Sequence, residues 1–142
     1  SSDLNNDFSC GIVGEYEVEQ SLENICNKLE ELMKEPVQCW QFNSNKIKRV
    51  QILCGAGHLT SDIKQAIDNN CDLYITGERI LYSLEYAQLN KLNLIIGSHT
   101  FTELFGVRSL VNKVKDKYKD IELFLIEEEH LETRNVKCSI LA

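Results

Sequence analysis

The chain has 142 residues, 43% of them hydrophobic, and carries 22 acidic against 15 basic side chains for a formal charge of -7. That size accommodates one core of ordinary extent, and the composition excludes an intrinsically disordered class. Scattered Lys and Arg on a net acidic chain argue against a nucleic-acid partner; the lack of a signal peptide and of any apolar run near about 18 residues predicts a soluble, cytoplasmic protein with no membrane partner.

Residues 1–9 read as a flexible N-terminal end, 10–127 as a single α/β domain, and 128–142 as an acidic and polar tail. A short strand near 10–14 leads to a helix over 21–33, where Leu22, Ile25, Cys26 and Leu29 share one face. Pro36 cannot continue that helix. Strands over 37–42 and 49–54 flank the turn-forming run Asn43-Ser44-Asn45-Lys46, which predicts a hairpin. The loop Gly55-Ala56-Gly57-His58 precedes a helix over 60–69, and a strand over 72–76 runs into Gly77-Glu78. A helix over 80–89 and a strand over 92–96 follow. A long helix over 102–118, with Leu104, Val107, Leu110, Val111 and Val114 as its core-facing stripe, and a strand over 121–126 complete the alternation. Repeated strand–helix units predict an α/β domain whose mainly parallel or mixed sheet is flanked by helices.

The six cysteines, at positions 10, 26, 39, 54, 71 and 138, form no Cys-x-x-Cys pair and mostly interrupt apolar runs. This predicts reduced, mostly buried thiols rather than a disulfide framework or a zinc ribbon.

Parallel neighbouring strands would bring three polar loops to one carboxyl rim, where open α/β sheets gather functional groups. These loops are Gly55-Ala56-Gly57-His58, Thr76-Gly77-Glu78 and Ser98-His99-Thr100. His99 and Glu103 stand at i, i+4 just after an apolar strand, and imidazole nitrogen and carboxylate oxygen are donors that Zn²⁺, Mn²⁺ or Fe²⁺ accept. Thr100-Phe101-Thr102-Glu103 also fits a capping box, in which Glu103 folds back on the amide of residue 100, and spacing alone favours that cap over a metal. Glu78 suits a general base or an outer partner to a metal site, or else a carboxylate in the favourable field of a helix start. His58 is open between a ligand or proton shuttle and a surface residue or helix cap. The glycine loop lacks the P-loop lysine and G-x-G-x-x-G, so a tight turn explains it without a phosphate.

From Cys10 to about Ile126 the chain resembles the C-terminal half of the Nif-three-like family, the dinuclear-metal proteins also named GTP cyclohydrolase type 2 homologues. The matching runs, in order, are Gly11-Ile12-Val13-Gly14-Glu15 followed by a helix, Cys54-Gly55-Ala56-Gly57, Thr76-Gly77-Glu78 and Ser98-His99-x-x-x-Glu103. The resemblance implies half of a Nif-three-like fold, with His99 and Glu103 as metal ligands and Glu78 as the catalytic acidic residue beside the metals. It further implies two divalent ions per site in the intact protein (Zn, Fe or Mn), a hydrolase with a nucleotide substrate such as GTP, and a homo-oligomer. Family members often carry a histidine where this chain has Tyr82. The family's N-terminal half, with its paired histidines and aspartate, has no counterpart in these residues, so the chain is expected to be a fragment or a shortened homologue, inactive alone. The alternative is a non-catalytic interaction or regulatory scaffold of the same fold.

Overall fold

The computed structural model describes residues 11–126, 128 and 129. The flexible end expected at 1–9 and most of the tail lie outside them, as do Cys10 and Cys138. In chain order the elements are β1 (Ile12–Ser21), α1 (Leu22–Met33), β2 (Gln38–Trp40), β3 (Lys46–Leu53), α2 (Thr60–Asp68), β4 (Leu73–Thr76), α3 (Leu81–Leu89), β5 (Asn93–Ile96) and α4 (His99–Lys117). The five strands form one mixed sheet in the order β1-β3-β4-β5-β2. Its centre, β3-β4-β5, is parallel, and the edges β1 and β2 run antiparallel to their neighbours.

Every residue of β4 and β5 is buried. Strands covered on both faces need continuous apolar runs, which Leu73-Tyr74-Ile75 and Leu94-Ile95-Ile96 provide. Leu53, Tyr74, Leu94 and Ile96 point to one face, where α2 and α3 supply Ile63, Ala66 and Ala87. Val50, Leu73, Ile75 and Ile95 point to the other, beneath Leu22 and Ile25 of α1. Ser21 caps α1, its side chain accepting from the amide of Asn24, and Lys34 ends the helix in the left-handed region at φ 58°.

Several expectations need correction. The hairpin between residues 37–42 and 49–54 does not form: β2 pairs with β5 and β3 with β1, on opposite sides of the sheet. The connecting segment is held at the foot of β5 instead. Asn93 Oδ1 accepts from the amides of Phe42 and Asn43, and its Nδ2 donates to the carbonyl of Ser44. These bonds serve the turn-forming residues from a distance, which turn chemistry alone does not reveal.

The first strand is long, not short. Glu15-Tyr16-Glu17-Val18-Glu19 is a period-two run suited to an edge strand with one solvated face. Residues 121–126 form no strand and are exposed, because no sheet edge in the described residues takes them up. The stripe on α4 is not core: Val107 and Leu110 are 48% and 61% exposed, and burial is confined to Phe101 and Thr102 in the first turn.

The four described cysteines are free thiols, as expected, but none is buried: Cys39 and Cys54 are exposed, and Cys26 and Cys71 half-buried. Among the described residues, no helix is long and apolar enough to cross a membrane.

Candidate metal centre

The parallel register of β3, β4 and β5 aligns Leu53 with Thr76 and Thr76 with Ile96, so the three expected loops meet on one rim. They are tied through one carbonyl. The amides of Gly57 and Gly77 both donate to Gly55 O, at 3.1 and 3.0 Å, and the Thr76 hydroxyl reaches the same oxygen at 3.2 Å. The Tyr74 hydroxyl donates to Gly57 O at 2.9 Å. Burial, and then the Asp62 carboxylate, push its phenol above the ordinary range, so it remains a proton donor.

Helix α4 begins at His99, and its cap is Ser98, whose side chain accepts from the amide of Phe101. The cap therefore lies two residues before Thr100, and the reciprocal box that Thr100 and Glu103 could have formed is not the one that starts this helix. Glu103 points elsewhere: its Oε1 lies 3.6 Å from His99 Nε2. Two donors on a tetrahedral ion with bonds of about 2.0–2.2 Å stand about 3.3–3.6 Å apart. The pair fits a shared ion in donor type and spacing.

Gly55 makes room for that pair. Its φ is +67°, and a Cβ built on it would collide with Glu103 Oε1 and lie 3.2 Å from His99 Nε2. The glycine thus meets two demands together, a left-handed backbone and a floor without a side chain beneath the two donors. Thr102, whose role the sequence reading missed, fixes the helix start on this loop. Its hydroxyl accepts from the Gly55 amide at 3.0 Å and donates to His99 O at 2.9 Å.

On the opposite side of the His99 ring, Nδ1 lies 2.5 Å from Glu78 Oε1. An ionised carboxylate can only accept, so Nδ1 carries the proton, and in the neutral ring Nε2 carries the lone pair facing Glu103. Glu78 is placed as an orienting carboxylate of the kind that accompanies metal-binding histidines. Its other oxygen, Oε2, stands 3.2 Å from His58 Nδ1. That contact has the distance of a hydrogen bond but not its alignment.

His58, Glu78, His99 and Glu103 therefore form one chain of contacts rather than one coordination sphere. The two carboxylates address opposite nitrogens of His99, and among the described residues no three His, Cys, Asp or Glu side chains converge as a ready ligand set. Glu103 also borders a cleft of about 180 Å³ with Thr100, Leu104, Val107 and Leu125, which His99 does not line. Cys54, just past β3, exposes part of its surface, yet partial desolvation of the sulfur, and then the Glu103 carboxylate, push its thiol up. Tyr82 lies exposed in the first turn of α3.

Comparison with known proteins agrees with this arrangement of sheet and loops. Residues 3–131 match the family described as Duf34/NIF3 (NGG1p interacting factor 3). The chain is 32% identical over 116 residues to the GTP cyclohydrolase 1 type 2 homolog of Pyrococcus abyssi, covering 81% of this chain and 45% of that protein. It is 30% identical over 109 residues to the Pyrococcus horikoshii homolog, covering 76% and 42%. The chain thus spans about half the length of the curated relatives it matches. Among solved structures it is similar to protein ybgI, described as of unknown function, with a TM-score of 0.76 and 21% identity over 84% of this chain and 48% of the other. A Thermus thermophilus protein, TTHA1606, gives a TM-score of 0.70 and 23% identity, covering 83% and 47%. A mixed five-stranded sheet with its three interlocked rim loops, and a family match over most of its length, make this chain a member of the Duf34/NIF3 family.

Proposed function

We propose that this chain supplies two ligands, His99 Nε2 and Glu103, to a divalent-metal centre, and that a family-length chain containing it is a metal-dependent hydrolase acting on a nucleotide. The observation that carries this reading is the approach of the two donors above Gly55, with His99 oriented from behind by Glu78. Nitrogen and carboxylate oxygen suit Zn, Fe or Mn, with two ions per site in the intact protein. Bound metals would supply Lewis acidity to the bond attacked and acidify the attacking water. The residues here do the positioning: Glu78 holds the proton on His99 Nδ1, Ser98 and Thr102 fix the helix start, and Gly55 leaves the space.

Two donors fall short of the three protein ligands of a catalytic zinc site. The 142-residue chain is therefore expected to bind metal weakly and to lack hydrolase activity alone. The test is metal-dependent GTP hydrolysis by a family-length chain containing this segment, with and without His99→Ala. Metal-dependent turnover that the substitution abolishes supports the proposal; turnover indifferent to it, or to chelation, contradicts it.

A second reading, an interaction or regulatory scaffold of the same fold, is favoured by one observation. The face of α4 carrying Val107 and Leu110 is exposed and apolar. That face equally suits assembly into a homo-oligomer. A family-length chain without metal or turnover, yet associating through this face, would favour the scaffold.

A further inference from the structure

We infer that His58 is a positioning residue for His99, acting through the second oxygen of Glu78. The inference rests on the metal-site reading only for its consequence on metal affinity; the arrangement of the three side chains stands apart from it. Glu78 lies between two imidazoles and addresses each with a different oxygen: Oε1 is 2.5 Å from His99 Nδ1, and Oε2 is 3.2 Å from His58 Nδ1. A carboxylate held by one oxygen can still rotate about its last bond. Held by both, it presents Oε1 to His99 in one orientation and cannot swing round to the Glu103 side of the ring.

The state of the His58 ring favours such a contact. Its Nδ1 is buried and not aligned with any partner, although Glu78 Oε2 is within hydrogen-bond distance. A buried ring nitrogen without a partner is unfavourable, and a turn of the imidazole toward Glu78 Oε2, already within 3.2 Å, would supply one. The backbone beneath His58 is well anchored. The Gly57 amide donates to Thr76 Oγ1 at 3.0 Å, and Gly57 O accepts from Tyr74 at 2.9 Å. Residues fixed on the ends of β3 and β4 thus orient a side chain at the start of α4, the support that a precise site requires. Because Glu78 only accepts, both histidines offer it Nδ1–H, and His99 keeps Nε2 as its lone-pair nitrogen.

The test is nitrogen-15 NMR of the histidine side chains in the metal-free protein, which has three histidines, followed by Zn²⁺ titration. The proteins compared are wild type, His58→Ala and His58→Asn, whose amide can still donate. In wild type the His99 proton should reside on Nδ1. His58→Ala should lower that population and weaken Zn²⁺ binding by about 3–10-fold, less than the 10–100-fold typical of a ligand's direct partner. His58→Asn should restore both, with thermal midpoints alike in all three proteins. An unchanged His99 tautomer in His58→Ala would overturn the inference. So would loss of Zn²⁺ affinity with the tautomer unchanged, which would make His58 a ligand itself. Failure of wild type to bind Zn²⁺ would count against the metal reading alone, since the tautomer comparison needs no metal.

Discussion

Glu78 and Glu103 flank one imidazole from opposite sides, with Glu78 Oε1 2.5 Å from His99 Nδ1 and Glu103 Oε1 3.6 Å from His99 Nε2. The short contact fixes the ring, and the longer one has the span of two ligands of one ion. This division of labour between the carboxylates sets the first expectation. Glu78→Gln can turn its amide nitrogen toward His99 and favour the other tautomer, so Zn²⁺ affinity should fall by about 10–100-fold. The fold should persist, because Glu78 is half-exposed. Calorimetric titration with circular dichroism checks both.

Gly55→Ala should destabilise the domain by about 1–3 kcal/mol, because an alanine there must keep a left-handed backbone. The new methyl would also displace the Glu103 carboxylate, so metal affinity should fall with stability. Urea denaturation gives the first quantity. A variant as stable as wild type would show that the loop adopts another conformation.

The rim was legible in the sequence where chemistry and punctuation coincide. Glycines end two of the apolar strands, and Glu78 and His99 follow within two residues, so strand ends and loops could be read together. Partners set by distant residues were not legible. Ser98 caps α4 where Thr100 had the stronger pattern, and Asn93 draws residues 42–44 away from the hairpin their turn residues suggest. The α4 stripe has helical periodicity, but periodicity says only that a face is apolar, not that this domain covers it.

That distinction is measurable. Ile95 is fully buried, so Ile95→Ala should cost about 2–5 kcal/mol. Leu110 is 61% exposed, and Leu110→Ser should change stability by no more than about 0.5 kcal/mol. A large loss at Leu110 in the isolated chain would show that α4 packs its stripe after all.

Asn93→Ala should remove the acceptor shared by the amides of Phe42 and Asn43, at about 1–3 kcal/mol for each group left unpaired. Hydrogen exchange should quicken at these two amides before β4 or β5 is affected. Unchanged exchange there would mean that the connecting segment is held by other contacts.

Alkaline pH should weaken the fold in part through Cys26. Burial, and then a hydrogen bond with Cys39, push its thiol from 9.0 to about 12. Above pH 9.0 the unfolded thiol ionises while the folded one keeps its proton, so stability present at lower pH is lost as pH rises toward 12. Cys26→Ala should flatten that decline in denaturation midpoints measured from about pH 8 to 11. A decline equally steep in the variant would assign it to other groups.

The central claim is that His99 and Glu103 bind one ion together. The most direct measurement is Co²⁺ titration of the chain, followed by visible absorption, for wild type, His99→Ala and Glu103→Ala. The account predicts weak binding with ligand-field bands in wild type and loss of those bands in both variants. Bands that survive either substitution, or tight stoichiometric binding that needs neither side chain, would contradict it.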